Sequence, residues 1–345
     1  MVQIANRANI APIVSQVVVV DGLSGNGKTA LSPILQGFER VENVQVKYII
    51  EFLCCYSYLE EMSSTATESA LRLLLDQFAY DNSISREVNF RPSDLTSVLK
   101  SSLRAKYFER LFMEDGAPAL QRIEKEKPIL HLMGHQLFAV SKPLFSVLNE
   151  KLTFLEIVRH PLTLLSQWFS YIERYGNDAL DFTVWLQHDR QNAPWFVKGH
   201  EARYLLLNRM DKVILSLKCL GALRQSTYNS LEVDEKKRLL VIPFERFVKE
   251  PKPYLGRISD LLGAMPSERM DRILEEQKIP RKLSSDGPGG IWEQKYNQVR
   301  PEAGATEDSE HARAWNIAKR EASRDALVDL RELCEGHEAL LQTTV

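Results

Sequence analysis

The sequence predicts an α/β protein, a three-layer α/β/α sandwich built on a mostly parallel sheet with helical insertions. Two observations support this prediction. Four consecutive valines at 17–20 run into a glycine-rich turn and then into a helical segment, which is typical of a buried parallel strand followed by a helix. Further apolar runs recur along the chain with helical spacing between them, and repeated β-α units form a parallel sheet that is covered on both faces.

The turn after the valine run fits the phosphate-binding loop template Gly-x-x-x-x-Gly-Lys-Thr at every fixed position. Glycines permit a tight turn whose N–H groups face inward, and the helix that follows adds the positive end of its dipole. In this hypothesis Lys28 supplies a mobile charge and Thr29 a hydroxyl for a phosphate or a metal. The predicted phosphate-binding residues are Gly22, Gly25, Asn26, Gly27, Lys28 and Thr29.

Four more strands are expected from apolar runs at 44–51, 127–135, 152–159 and 239–247. Helical spacing dominates at about 57–125 and 178–230, and these stretches are interpreted as insertions; further helices are expected at about 162–175 and 251–262. We expect one domain over 1–304 and a C-terminal extension, 305–345, that forms a charged helix packed on it.

Composition limits the partners that can be expected. The 44 Lys and Arg residues nearly balance the 46 Asp and Glu residues, so we expect neither nucleic acid nor a membrane surface as a partner. The 4 cysteines show no metal-ligand spacing and indicate reduced thiols, with no metal site. Since there is no leader pattern and no apolar run of about 18 residues, a cytoplasmic protein is expected. The oligomeric state stays open.

Four segments, in this order, resemble the P-loop sulfotransferase family. They are the loop region 17–36, the strand and helix start at 154–168 with Arg159 and Pro161, the strand and turn at 240–251 with Phe244 and Glu245, and the glycine-rich segment 287–295 with Trp292. The resemblance covers most of the chain. It implies transfer of a sulfuryl group from 3′-phosphoadenosine 5′-phosphosulfate (PAPS) to a hydroxyl or amine of a small-molecule or carbohydrate-like acceptor, with adenosine 3′,5′-bisphosphate as the product.

The resemblance also implies which residues hold the donor. The phosphate loop would hold the 5′-phosphosulfate, Arg159 and Ser166 the 3′-phosphate, and the loop with Gly289, Gly290 and Trp292 would close over the nucleotide. The position of Arg159 supports this role independently, because ligands of parallel sheets bind at the carboxyl ends of the strands and a guanidinium can bind a phosphate through two hydrogen bonds.

In the segments that would hold the donor, the sequence departs from the family pattern in two places. Gly25 stands where the family usually has a Lys or Arg, and Ser166 is one residue closer to Arg159 than is usual, which leaves Ser170 as an alternative. Lys28 instead occupies the position of the lysine in nucleoside-triphosphate kinases. Either lysine position could neutralise charge on a bridging oxygen, since group transfer of this kind depends chiefly on positioning and electrostatic stabilisation.

Transfer to a hydroxyl requires a base. The candidates are Glu51 and His135, which are weighted equally, and His131, which lies within a strand and is interpreted as structural. Family members use either a His after the third strand or a Glu further upstream, and His135 is displaced by two residues from the position that aligns with that His.

Two other functions stay open on the sequence. An ATP- and Mg²⁺-dependent kinase acting on a small molecule would need an acidic residue near the phosphates, for which Asp21 or Glu51 could serve, and Arg281 with Lys282 could clamp phosphates. A nucleotide-binding regulatory module that transfers nothing to an acceptor is the third candidate.

Overall fold

The computed structural model describes residues 11–172, 178–179, 181–284, 286–287 and 306–343. Its strands are β1 (Gln16–Asp21), β2 (Ile129–Met133), β3 (Leu152–Val158), β4 (Trp185–His188), β5 (Gln191–Pro194) and β6 (Leu239–Pro243). Its helices are α1 (Lys28–Leu35), α2 (Tyr48–Tyr58), α3 (Ser64–Ser83), α4 (Arg104–Arg110), α5 (Ala117–Glu126), α6 (Lys142–Leu148), α7 (Pro161–Ile172), α8 (Glu201–Leu206), α9 (Arg209–Ser230), α10 (Val233–Lys236), α11 (Phe244–Lys249), α12 (Pro251–Leu262), α13 (Met270–Glu276), α14 (Glu307–Glu321) and α15 (Arg324–Thr343).

The central sheet, within the described ranges, has four parallel strands in the order β2-β1-β3-β6. Val19 of β1 lies opposite Leu132 of β2 and Phe154 of β3, and Asp21 lies opposite Glu156. The carboxyl ends of β1 and β3 therefore meet at one edge, where the loops after them come together. This sheet and its surrounding helices confirm the predicted α/β class.

Hydrophobic cores lie on both faces of the sheet. Val17 and Val19 pack into the larger core, with side chains from α2, α3, α6, α7 and α9 and from the C-terminal helices. Val18 and Val20 pack into the other core, against α1, α11, α12 and α13. Because successive side chains of a strand point to opposite faces, the four valines are all buried, and this explains why they read as a continuous apolar run.

The prediction of a strand at 44–51 is wrong. The chain pairs along the edge of β2 only at isolated positions, Val41 with Ile129 and Gln45 with Leu132, and α2 begins at Tyr48. The apolar residues here alternate, as in a strand, but those from Ile50 onward also have helical spacing. Packing of the helical face against the larger core selects the helix.

Two other stretches also differ from the prediction. The strand expected at 239–247 ends at Pro243, and α11 begins at the next residue, Phe244. The helical insertion expected at 178–230 contains a hairpin of β4 and β5 before α8 and α9. Asp189 and Arg190 form the hairpin turn with φ values of 45° and 65°. Positive φ angles at two residues other than glycine are uncommon, so this turn carries no recognisable sequence signal.

The C-terminal extension contains two helices, where one was predicted over about 305–340. Ser323 lies between α14 and α15, accepts a hydrogen bond from the N–H of Ala326 and donates its own N–H to Asp211 of α9. Ala318 of α14 and Leu330 of α15 are fully buried in the larger core. The extension thus packs on the face of the sheet that carries α7 and α9.

A buried ionic network joins the helical insertion to the edge of the sheet. The carboxylate of Glu42 accepts two hydrogen bonds from Arg110 at 2.8 and 2.9 Å, one from Tyr107 at 2.6 Å and one from Lys106 at 3.1 Å. Despite burial, these partners lower the pKa of Glu42 to about 2. The network holds α4 against the segment that precedes α2.

Candidate active site at the carboxyl edge of the sheet

The loop after β1 requires glycine at Gly22 and Gly27. Their φ angles are 144° and 96°, a range that L side chains rarely adopt. A Cβ at Gly22 would lie 2.3 Å from the carbonyl oxygen of Ile157, and one at Gly27 would lie 2.2 Å from the ring of Phe244. The loop is therefore pressed between β3 and the start of α11, which fixes the direction of its backbone.

Side chains from neighbouring elements hold this loop. Asn26 donates to the carbonyl of Ile157 at 2.6 Å, and the buried indole of Trp168 donates to the carbonyl of Ser24 at 3.0 Å. Gln167 packs against Gly25, where a Cβ would lie 2.2 Å from its amide oxygen. Gln167 and Trp168 were not predicted as loop contacts, although both belong to the 154–168 segment that carries the family resemblance.

Lys28 begins α1 and is buried against the loop. No side chain at the N-cap residue Gly27 caps this helix, which leaves the N–H groups of its first turn without a capping side chain. The ammonium of Lys28 donates to the carbonyl of Gly22 and, at 3.0 Å, to that of Leu23. The pKa of Lys28 is lowered, because the effect of burial outweighs the opposite effect of the nearby carboxyls of Asp21 and Glu51. Thr29 lies half-buried in the first turn of the same helix.

Arg159 follows β3 and lies on the same loop. Its Nη1 donates to the carbonyl of Gly25 at 2.9 Å, its Nε is 3.7 Å from Glu245, and its guanidinium carbon is 4.7 Å from the ring centroid of Phe244. Arg281 approaches the same ring at 5.8 Å. Burial and the charge of Arg159 both lower the pKa of Arg281, because two guanidinium groups close together repel. An anion between them would relieve this repulsion.

The two predicted serines belong to α7. Ser166 is exposed, and its carbonyl accepts a long hydrogen bond, 3.4 Å, from the hydroxyl of Ser170. Ser170 is therefore directed back along its own helix. A role for either serine in binding a phosphate stays a prediction.

The candidate bases lie in different environments. Glu51 lies in the first turn of α2, not at the end of a strand, and its Oε2 accepts the main-chain N–H of His135 at 3.0 Å. Burial and the charge of Asp21 raise the pKa of Glu51 to about 8. Burial and the charge of Lys28 lower the pKa of His135 to about 3. Because a base works best when its pKa is near the working pH, Glu51 is the better candidate.

The third candidate base, His131, lies within strand β2 and is not accessible to solvent. Its side chain is fully buried in β2, and burial lowers its pKa to about 3. Neither ring nitrogen has a hydrogen-bond partner among the described residues. A structural role for His131 stays a prediction.

Asp21 and Glu156 add two carboxyl groups at the same edge. Asp21 accepts the N–H of Phe138 at 2.6 Å, and its other oxygen has no partner in the described part of the chain. Burial raises the pKa of Asp21. Glu156 is bound by both the Nε and Nη2 of Arg224, at 2.5 and 2.8 Å. Glu156 was not predicted, although a Glu within an otherwise apolar strand is a usable signal.

An aromatic surface adjoins Glu51. The ring of Tyr48 stacks on that of His135 with centroids 5.5 Å apart and contacts that of Phe182 at 4.9 Å. The phenyl group of Phe182 is 49% exposed, so one side of this surface meets solvent. A small pocket here is lined by Val46, Lys47, Tyr48, Ile50, Glu51, Leu132, Met133, Gly134, His135 and Leu137.

The late glycine-rich segment is described only at its start. Gly287 packs against the guanidinium of Arg281, and an open basic pocket here is lined by Lys278, Pro280, Arg281, Lys282, Asp286 and Gly287. Gly289, Gly290 and Trp292, predicted to close over the nucleotide, lie outside the described residues.

A search with the structure finds sulfotransferases among its matches. The sulfotransferase domain from the Synechococcus PCC 7002 olefin synthase is 15% identical, with 94% of each chain covered and a TM-score of 0.42. Sulfotransferase STF1 from Mycobacterium tuberculosis H37Rv is 11% identical, with 77% of this chain and 72% of that chain covered and a TM-score of 0.39. The sulfotransferase domain from the curacin biosynthetic pathway is 11% identical, with 88% and 98% covered and a TM-score of 0.36.

These values are low, so the similarity carries no conclusion about ligands or residues. No protein-family model matches the chain, and no curated protein matches it. Across the described ranges, none of the helices combines the length and apolar character that crossing a membrane requires.

Proposed function

We propose that the chain is a sulfotransferase that uses PAPS as donor and a hydroxyl or amine of a small-molecule or carbohydrate-like acceptor. The observation that carries the proposal is the pair Arg159 and Arg281 beside the glycine loop. The loop and this pair provide two neighbouring places for anions, and PAPS carries two separate anionic groups. A donor with one phosphate chain would need only the loop.

The residues present fit such a donor. The N–H groups at the start of α1 and the ammonium of Lys28 would hold the 5′ side, with Thr29 beside them. Arg159 would hold the 3′-phosphate, because a guanidinium has five N–H donors and can contact the Gly25 carbonyl and an anion together. Ser166 and the segment with Gly289, Gly290 and Trp292 keep the donor roles that the family resemblance implies.

Glu51 would act as the base. When bound, PAPS supplies a sulfuryl group, whose bond to the phosphate oxygen breaks as the acceptor oxygen or nitrogen bonds to sulfur. The Glu51 carboxylate takes the proton that the acceptor loses, and Lys28 stabilises the negative charge that develops on the departing phosphate oxygen. His135 would pack against the acceptor as a neutral ring with Tyr48.

Ligand binding to the purified protein tests the donor. Adenosine 3′,5′-bisphosphate is expected to raise the melting temperature, because a ligand that binds only the folded state stabilises it. Arg159→Ala should weaken bisphosphate binding by about 10-fold or more, because it removes a charge-assisted hydrogen bond to the phosphate. Arg272→Ala is the control, because Arg272 is an exposed arginine that pairs with Glu276 on α13. Stabilisation by Mg-ATP alone would contradict the proposal.

The rate of transfer should depend on the ionisation of Glu51. Since its pKa is raised to about 8, the carboxyl is mostly protonated at lower pH, and kcat should rise as the pH increases towards 8 and then level off. Glu51→Gln should lower kcat by about 10²- to 10⁴-fold and remove this dependence. Glu61→Gln, an exposed residue just after α2, is the control. A Glu51→Gln enzyme that keeps the same pH profile would assign the base elsewhere.

A kinase is the second candidate function, and one observation favours it. Lys28 directly precedes Thr29 at the start of α1, and nearby, at the end of β1, one carboxyl oxygen of Asp21 has no partner among the described residues. Such a carboxylate could hold Mg²⁺ beside a triphosphate. The same titration decides between the two functions. A kinase should bind Mg-ATP and keep that affinity in Arg159→Ala.

A further inference from the structure

Three histidines meet where the C-terminal helices contact the turn that connects β3 to α7. The ring of His160, in this turn, stacks on that of His311 of α14 with centroids 4.0 Å apart. The ring of His337 of α15 approaches His160 edge-on at 5.2 Å. These residues are far apart in the sequence, so only the docking of α14 and α15 brings the rings together.

We propose that His160, His311 and His337 form a pH-sensitive latch that fastens α14 and α15 to the β3–α7 turn and releases them on acidification. This histidine latch is a contact among neutral rings. Among the described residues, no set of three His, Cys, Asp or Glu side chains could hold a metal ion, so metal binding does not account for the cluster.

One hydrogen bond in the latch depends on a neutral imidazole. Nδ1 of His160 accepts the N–H of Leu162 at 3.2 Å in the first turn of α7. Protonation of Nδ1 would abolish this acceptor and place a positive charge at the N-terminus of a helix, where the dipole disfavours it. Nε2 of His311 lies 3.0 Å from the hydroxyl of Thr163, also in α7.

Charged groups surround the latch from each element that packs on it. Arg159 of the turn faces His311, while Arg224 of α9 and Arg246 of α11 face His337. Glu245 of α11 and two carboxylates of α14, Glu307 and Asp308, also face His311. The carboxylates favour a first proton on His311. A second proton would place like charges within stacking distance of each other and near the three arginines.

The sign of the pH dependence follows from these surroundings. Burial and the neighbouring imidazoles lower the pKa of His160 to about 3, and the pKa of His337 is lowered to about 4 by burial, His311 and the arginines. Burial lowers the pKa of His311 as well. Released histidines would titrate near their ordinary value of about 6.5. Docking is therefore complete above about pH 6.5 and weakens as the pH falls, because the released state binds more protons.

Hydrogen exchange of the full chain tests the latch without any donor. Protection of the amides in 307–343, corrected for intrinsic exchange rates, should fall between about pH 7.5 and pH 5.5, while the amides of β1 and β3 stay protected. The opening equilibrium should rise by up to about tenfold per pH unit for each histidine involved. Equal protection of 307–343 at both pH values would overturn the proposal.

A variant separates the latch from general acid sensitivity. His337→Phe keeps an aromatic ring but cannot titrate. In a plot of the logarithm of the opening equilibrium constant against pH, the magnitude of the slope should therefore fall by about one, which corresponds to one proton fewer taken up on opening. His200→Phe, at an exposed histidine before α8, should leave the slope unchanged. If His337→Phe opens the helices at neutral pH, the wild-type pH dependence still tests the latch. An unchanged slope in a docked His337→Phe protein would contradict it.

Discussion

Replacing Lys28 with alanine is expected to lower kcat for sulfuryl transfer by about 10²- to 10³-fold, the usual cost of losing one electrostatic contact to a charge that develops in the transition state. Lys28 is buried at the start of α1 and contacts the loop carbonyls of Gly22 and Leu23. Its charge would lie beside the departing phosphate oxygen. Steady-state rates with a panel of acceptors, with donor binding measured separately, distinguish a loss in kcat from a loss in affinity.

The same variant should also change the pH profile. The charge of Lys28 lowers the pKa of Glu51, so its removal should raise that pKa further and move the rise in kcat to higher pH. Lys142→Ala is a matched control, because Lys142 pairs with Glu235 away from the loop. A Lys28→Ala enzyme with normal kcat and an unchanged profile would exclude Lys28 from the catalytic step.

Glu42→Leu should destabilise the fold by about 3–5 kcal/mol, the usual cost of removing one partner from a buried ion pair. The side chains of Glu42 and Arg110 are only 1% and 5% exposed, so the variant leaves the guanidinium buried without its carboxylate. Urea unfolding measures the loss. Glu276→Ala, which breaks an exposed pair with Arg272, should cost at most about 1 kcal/mol.

Two further measurements identify the origin of this loss. The double variant Glu42→Leu with Arg110→Met should be less destabilised than the sum of the single variants, because it leaves no buried charge unpaired. The pKa of Glu42 is lowered to about 2 from 4.5, so its contribution should be complete above about pH 4.5 and be lost as the pH falls towards 2. If the losses in unfolding free energy of the two single variants simply add up in the double variant, the residues do not form a coupled network.

Much of the fold was accessible from the sequence because its signals are local. The valine run, the glycine spacing and Lys28 lie within fourteen consecutive residues, 17–30, and each is dictated by the conformation of its own backbone or by burial of one strand. The helix from Pro251 to Leu262 and its left-handed end at Gly263, with φ of 55°, were predictable for the same reason.

Other features depend on which surface a segment meets. The region around Tyr48 has a pattern that suits either a strand or a helix, and the position of α2 against the larger core selects the helix. The turn of the β4–β5 hairpin is formed by two residues with positive φ angles, neither of which is glycine. The roles of Gln167, Glu156 and Arg224 arise from contacts between elements that are remote in the sequence.

The sequence by itself determined a glycine-rich loop between a buried strand and a helix, because glycine geometry and strand burial are properties of short segments. Only the tertiary structure decided what surrounds that loop. It placed Arg159 on the Gly25 carbonyl with Arg281 nearby, assigned Glu51 a raised pKa beside Asp21, and brought three histidines together at the C-terminal helices. The physical reason is that pKa values and charge pairs depend on burial and on distances through space, which sequence spacing does not specify.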